Sequence, residues 1–255
     1  MNLLKVEGIV KRFGGLCAVD TLSFDVKPQE ILSLIGPNGA GKTTTFNMLT
    51  HFIPPDSGKI YYKDIDITQY PPHQIATLGI VRTFQHTNIF PQATVEDNVK
   101  MGCFKLTSSG MLDIILHTKR FRTEEKMVKE KTLEILEFLN MQEVKDLQAK
   151  NLSYGQKRIL EIAIAMACEP KLLLLDEPVA GLNPSESRGV MHIISKIREQ
   201  GTTVLLVEHD MSVVMNISDR IVVLNFGKKI AEGTPAEVGC NPEVIRAYLG
   251  GVGVA

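Results

Sequence analysis

Residues 36–43 read Gly-Pro-Asn-Gly-Ala-Gly-Lys-Thr, with the apolar run Ile31–Ile35 just before them and a helix-forming stretch, Thr44–Thr50, just after. The spacing predicts a strand, a tight loop and a helix in succession, which is the context that turns this short pattern into a mechanism. Gly36, Gly39 and Gly41 let the backbone bend and come close to a ligand. Successive amides then converge at a helix N-terminus, where the dipole favours anions. Lys42 suits the β- and γ-phosphates of a nucleoside triphosphate, and the Thr43 hydroxyl suits Mg²⁺. A glycine-rich turn with an incidental lysine is the plain alternative, and the agreement of strand, loop and helix argues against it.

A second signal lies far along the chain. Leu172-Leu173-Leu174-Leu175 is a strand-sized apolar run, and Asp176-Glu177 follow it directly. In an open α/β sheet, ligands bind at the carboxyl ends of strands. Asp176 is therefore expected to hold Mg²⁺, directly or through water. Glu177, past the strand end, is expected to orient a water or take its proton, since a carboxylate is ionised at neutral pH. Two acids capping the turn before Pro178 would be the structural alternative.

The pattern of apolar residues supplies the frame. Residues 3–34 alternate like β-strands, and Lys59–Ile67 reads as one strand after the turn Pro54-Pro55-Asp56-Ser57-Gly58. Gly79–Phe84 reads as a short strand ending at Gln85. From residue 87 to about 150 the spacing becomes helical, with Val128, Ile135, Leu136 and Leu139 on one side. Strand and helix then alternate again: Lys171–Leu175, a helix over Ser185–Glu199, Thr202–Val207, and a hairpin-like Arg220–Gly233. Apolar strands separated by helices predict a parallel sheet covered on both faces. The expected class is α/β, with a mostly parallel core, an N-terminal antiparallel β subdomain and an inserted helical subdomain. The whole chain, 1–255, reads as one domain, with 1–86 and 159–255 as core and 87–158 as the helical part.

Composition narrows the partners. The 255 residues carry 44% apolar and 22% charged side chains and a net charge of -1, which gives no electrostatic reason to expect nucleic acid. Cys17, Cys103, Cys168 and Cys240 form no CxxC pair and read as free, buried thiols in a reducing compartment. Met1–Val10 is too short and mixed for a signal peptide, and no apolar run is long enough for a membrane span. Any membrane role would then depend on docking to a separate membrane protein. His117, Lys119, Arg120 and Arg122 form a basic cluster, readable as a solvated helix end or as a contact with lipid headgroups or a partner.

Residues 152–156, Leu-Ser-Tyr-Gly-Gln, look alone like an N-capped helix. They resemble the signature motif of the ATP-binding-cassette (ABC) ATPases, and the loop at 36–43 before them and Asp176-Glu177 after them stand in that family's order. The resemblance covers almost the whole chain and implies a RecA-like phosphate-loop core. It implies that Gly36, Pro37, Asn38, Gly39, Ala40, Gly41, Lys42, Thr43 and Thr44 bind the nucleotide phosphates and Mg²⁺. It implies that Phe13 stacks on adenine, although Tyr is commoner there. Gln85 resembles the glutamine that senses Mg²⁺ and the attacking water, so the implied metal set is Thr43, Gln85 and Asp176. Glu177 matches the catalytic carboxylate, and His209 resembles the switch histidine that contacts the γ-phosphate. Ser153, Gly155 and Gln156 would contact ATP held by a second cassette, identical or homologous, paired head to tail. The loop Ala180–Asn183 would reach toward that subunit, although Asn183 stands where the family usually has Asp.

Gly79-Ile80-Val81-Arg82-Thr83-Phe84-Gln85, Asn88-Ile89-Phe90, Thr94–Val99 and Pro178–Pro184 resemble the ATPase subunit of branched-chain amino acid importers. This implies ATP and Mg²⁺ as ligands, integral membrane permeases as partners and an extracytoplasmic solute-binding protein as an indirect one. It also implies a peripheral position on the cytoplasmic face of the cell membrane. Lipopolysaccharide-export or urea and amide transporter ATPases stay open within the class, and a soluble regulatory ATPase without a permease stays open outside it. The residues themselves do not specify solute, direction of transport or choice of cassette partner.

Overall fold

The computed structural model describes residues 2–83 and 89–249. Chain order begins β1 (Leu4–Phe13), β2 (Leu16–Val26), β3 (Ile31–Ile35), α1 (Lys42–Leu49), β4 (Ser57–Tyr62), β5 (Ile65–Asp66), α2 (Pro72–Leu78) and β6 (Ile80–Arg82). The helices α3 (Val95–Gly102), α4 (Met111–Ile115), α5 (Lys119–Phe138) and α6 (Tyr154–Ala167) follow. The order closes with β7 (Leu172–Asp176), α7 (Pro184–Glu199), β8 (Thr203–Val207), α8 (Met211–Ile217), β9 (Arg220–Asn225), β10 (Lys228–Gly233), α9 (Pro235–Gly239) and α10 (Pro242–Leu249).

These elements form two compact units. The first comprises Met1–Arg82, Lys171–Ala180 and Ser187–Ala255. Its six-stranded sheet has the order β10-β9-β3-β8-β7-β6, parallel throughout except for the β9–β10 hairpin. Every residue of β3, β7 and β8 is buried, so the continuous apolar runs sit where both faces of the sheet are covered. A second, antiparallel sheet has the order β2-β1-β4-β5. Its inward residues, including Val6, Ile9, Leu22 and Ile60, share one core with Phe46 of α1 and with Leu32, Leu174 and Leu205 of the parallel sheet. The α/β class expected from the sequence is the class observed.

One expected strand is two. Lys59–Ile67 breaks at Lys63 and Asp64, which take φ of 48° and 64°. Positive φ at both central residues is the geometry of a two-residue hairpin, and it folds β5 back on β4. The alternation on either side masks the turn because neither Gly nor Pro marks it.

The second unit comprises Thr83–Pro170 and Gly181–Glu186. In it α3, α5 and α6 pack on one another. Gly102 permits this: a Cβ there would lie 2.4 Å from the Ile164 carbonyl oxygen of α6. The expected division at residue 158 falls inside α6. The core is expected to resume from Ile159, yet Leu160, Ile162, Ala163, Ala165 and Ala167 form the buried face of that helix, and α6 packs on α3 within the second unit. Of the cysteines, Cys103 is buried as expected, whereas Cys240 is exposed just past the end of α9.

Candidate nucleotide site

The sheet order decides which distant residues meet. β3, β8 and β7 are parallel neighbours, so their carboxyl ends lie side by side. Val207 pairs with Leu34 on one flank and with Asp176 on the other. The loop after β3, the Asp176-Glu177 pair after β7 and the Glu208-His209 pair after β8 therefore share one edge.

The loop is held open by close backbone approaches. Gly36 has φ of 152°, and a Cβ there would sit 2.2 Å from the Leu224 carbonyl oxygen. Gly41, at φ 102°, would place a Cβ 2.5 Å from the Ala18 carbonyl oxygen. Gly41 is also the N-cap of α1, with no side-chain cap and no acid in the first turn. Amides at such a helix start suit an anion. Lys42 is buried and donates from Nζ to the carbonyl oxygens of Gly36 (2.7 Å) and Pro37 (3.1 Å). Burial lowers its pKa, opposed by the charges of Glu177 and Asp176. Asn38, Gly39 and Thr43 are exposed, Ala40 is buried, and Pro37 and Thr44 are half-buried.

Asp176 is 2% exposed at the end of β7. Its Oδ2 accepts from Arg82 Nη2 at 2.7 Å, and Arg82 Nη1 donates to Asn47 Oδ1 at 2.6 Å. Its buried Oδ1 has no hydrogen-bond partner among the described residues. A buried carboxylate oxygen left without a donor fits a cation, and this orphan oxygen is the observation that suits Asp176 to Mg²⁺. Arg82 was not singled out for this from the sequence: it lies 94 residues from Asp176, and no local spacing links them.

Glu177 takes φ of 50°, an unusual conformation for a non-glycine residue. Its amide still bonds to the Val207 carbonyl at 2.9 Å, and its own carbonyl accepts from Ala180 at 3.1 Å. The turn is thus fixed from both sides, and such held backbone is common at functional positions. His209 Nδ1 lies 3.7 Å from Glu177 Oε1, and the imidazole is more than half exposed. The preceding residue, Glu208, is fully buried and accepts from the amides of Val179 (3.1 Å) and His209 (3.2 Å). Burial raises the pKa of Glu208. It fastens the loops after β7 and β8 to each other, a role the sequence reading missed. Phe13, 47% exposed, ends β1 opposite Leu16, with Lys11 Nζ 5.8 Å from its ring centroid. Gln85 lies outside the described residues.

The second unit holds the signature segment. Ser153 caps α6: its Oγ accepts from the Gln156 amide (3.2 Å), and Gln156 Oε1 accepts from the Ser153 amide (2.9 Å). A Cβ on Gly155 would lie 3.0 Å from Glu186 Oε1. Asn183 Oδ1 accepts from the amides of Ser185 (2.9 Å) and Glu186 (3.0 Å), the capping work of an aspartate without its charge. In the Thr94–Val99 stretch, Thr94 caps α3. The side chain of Asn98 accepts from the Phe90 amide (2.7 Å) and donates to the carbonyl oxygens of Phe90 (3.1 Å) and Thr94 (2.8 Å).

Comparison with known proteins adds the relatives. Residues 19–180 match the family model described as ABC transporter, and residues 228–254 match that of the branched-chain amino acid ATP-binding cassette transporter. The chain is 47% identical, over 97% of its own length and 98% of the relative's, to the high-affinity branched-chain amino acid transport ATP-binding protein LivG of Escherichia coli (strain K12). It is 45% identical, with the same coverage, to the corresponding protein BraF of Pseudomonas aeruginosa. Among solved structures, the ADP conformation of MJ1267, an ATP-binding cassette of an ABC transporter, superposes with a TM-score of 0.86 at 35% identity. That match covers 98% of this chain and 99% of the other.

Proposed function

The chain belongs to the ABC transporter family, and from that premise we propose that it is the ATP-hydrolysing subunit of a branched-chain amino acid importer. The observation that carries the chemistry is the shared edge of β3, β8 and β7, where Lys42, Asp176, Glu177 and His209 are assembled. End-to-end similarity to LivG and BraF supports the solute class.

In this reading the loop amides of residues 36–44 and the Lys42 ammonium hold the phosphates, and Phe13 meets adenine through its exposed ring. Thr43 and Asp176 would hold Mg²⁺, which supplies charge neutralisation on the phosphate oxygens when bound. Glu177 orients a water and takes its proton as that water attacks the γ-phosphorus. The bond to ADP breaks, and the electron pair leaves on the β-phosphate oxygen. His209 contacts the γ-phosphate and stays within reach of Glu177. Gln85 serves metal and water by resemblance alone.

Ser153, Gly155 and Gln156 act on the nucleotide of a second cassette. The Ser153 oxygen accepts within the cap while its hydroxyl hydrogen stays available to a phosphate oxygen. Closure of the two subunits around nucleotide then couples hydrolysis to movement of membrane permeases. Among the described residues no helix is long and apolar enough to cross a membrane. The chain docks on the permeases from the cytoplasmic side, and a solute-binding protein reaches it only through them. The test is co-purification with the membrane complex, followed by ATPase assay in proteoliposomes with leucine, isoleucine and valine. ATPase stimulation by urea or short-chain amides, with none by these amino acids, would overturn the solute assignment.

A further inference from the structure

The α4 segment is anomalous for a protein surface. Met111, Leu112, Ile114, Ile115 and Leu116 are 78%, 74%, 48%, 65% and 70% exposed. Five large apolar side chains within six residues is a concentration that soluble surfaces rarely leave uncovered. At about 100° per residue they span roughly 200° of the helix, wider than the stripe of about 100° by which a helix packs on a protein surface. The one acid among them is turned inward to the peptide: Asp113 Oδ2 accepts from the Gly110 amide (3.1 Å) and Oδ1 from the Thr118 hydroxyl (2.9 Å).

Basic residues adjoin this tip. In α5, Lys119, Arg122, Lys126 and Lys129 recur at helical spacing on one exposed face. Arg120 is engaged with Glu124 (3.3 Å) and Ser108, and ties the preceding loop to α5. Glu125 flanks the stripe, and Glu130 pairs with Lys126 at its far end (3.6 Å). At the end nearest the apolar tip Lys119 and Arg122 outnumber Glu125, so that end carries the positive excess.

We propose that this tip is a lipid-contacting element: residues 111–116 enter the headgroup boundary of a bilayer, and Lys119 and Arg122 engage anionic headgroups. An apolar arc wider than a packing stripe, beside a basic face, matches a bilayer interface rather than a protein groove. This contact goes beyond docking on permeases and does not depend on which solute is moved.

The full chain is sedimented with protein-free vesicles of phosphatidylcholine, with and without phosphatidylglycerol, at low and high salt. Binding is expected only to the anionic vesicles and is expected to weaken with salt. Lys119→Gln/Arg122→Gln should lower it roughly 25-fold, about fivefold per basic residue. Leu112→Ser/Ile115→Ser should lower it about tenfold or more. Basal ATPase should stay unchanged in both. Because the chain contains no tryptophan, Leu116→Trp supplies a single reporter that needs no loss of folding: its emission should shift to the blue and be quenched by brominated anionic lipid. Equal binding to neutral vesicles, no change in the variants, or an unshifted emission from the Leu116→Trp reporter would overturn the proposal. So would retention on membranes only when permease is present, which would assign the tip to a protein partner.

Discussion

Arg82 Nη2 holds Asp176 Oδ2 at 2.7 Å, with the arginine side chain 6% exposed and the aspartate side chain fully buried. Arg82 is itself braced by Asn47 of α1, and its guanidinium carbon lies 5.5 Å from the Phe46 ring centroid. One oxygen of Asp176 is thereby fixed and the other is left for a cation. Removing the arginine in Arg82→Met leaves a buried carboxylate unpaired, a change that costs about 3–5 kcal/mol in stability. A supporting residue of a metal ligand also changes metal affinity about 10–100-fold. Mg²⁺ titration of fluorescent-nucleotide binding should therefore show a raised midpoint, with metal-free nucleotide binding little changed. An unmoved midpoint alongside a lowered melting temperature would reduce Arg82 to a purely structural residue.

Lys42→Ala removes the ammonium and leaves the carbonyl oxygens of Gly36 and Pro37 without their donor. Hydrogen bonds to charged groups contribute about 1.5–3 kcal/mol, so nucleotide affinity should fall on the order of 10- to 100-fold. Equilibrium binding of ATP measures this, and unchanged affinity would contradict the phosphate role of Lys42.

Glu177→Gln keeps the shape of the side chain and removes the base. ATP binding should persist while turnover falls on the order of 10²- to 10⁴-fold, leaving an ATP-bound dimer visible by size-exclusion chromatography. Phosphate release near wild type would sink the base assignment.

Ser153→Ala deletes the α6 cap and should cost about 1 kcal/mol of stability. In mixed dimers with a wild-type cassette, the site that faces the altered Ser153 position should lose hydrolysis while the other keeps it. Equal loss at both sites would contradict action across the interface.

Gly102→Ala would drive a methyl group to within 2.4 Å of the Ile164 carbonyl oxygen. The α3–α6 contact must separate, at a cost of about 1–3 kcal/mol. Chemical denaturation should report a lower midpoint, and nucleotide binding should survive because the phosphate loop lies in the other compact unit.

The elements legible in the sequence were those whose signals are short in range. The loop at 36–43, the buried strands Ile31–Ile35 and Leu172–Asp176, and the cap of α6 at Ser153 each depend on residues within a few positions of one another. The Lys63-Asp64 turn escaped because Asp64 tolerates positive φ but has no glycine beside it to complete the usual hairpin pair, and Lys63 carries no turn signal. The end of the second unit escaped because periodicity marks the apolar face of a helix without saying which element covers it, and α6 is covered by α3.

What the sequence determined by itself is the chemistry on offer: amides at a helix start, a lysine, paired carboxylates and a family likeness that spans the chain. Only the tertiary structure decided that Arg82 restrains Asp176, that Glu208 fastens the loops of Glu177 and His209, and that Leu224 and Ala18 leave room for nothing but glycine at positions 36 and 41. The reason is physical. Propensity, capping and periodicity act along the chain, whereas strand order, burial and close backbone approach join residues that only packing brings together.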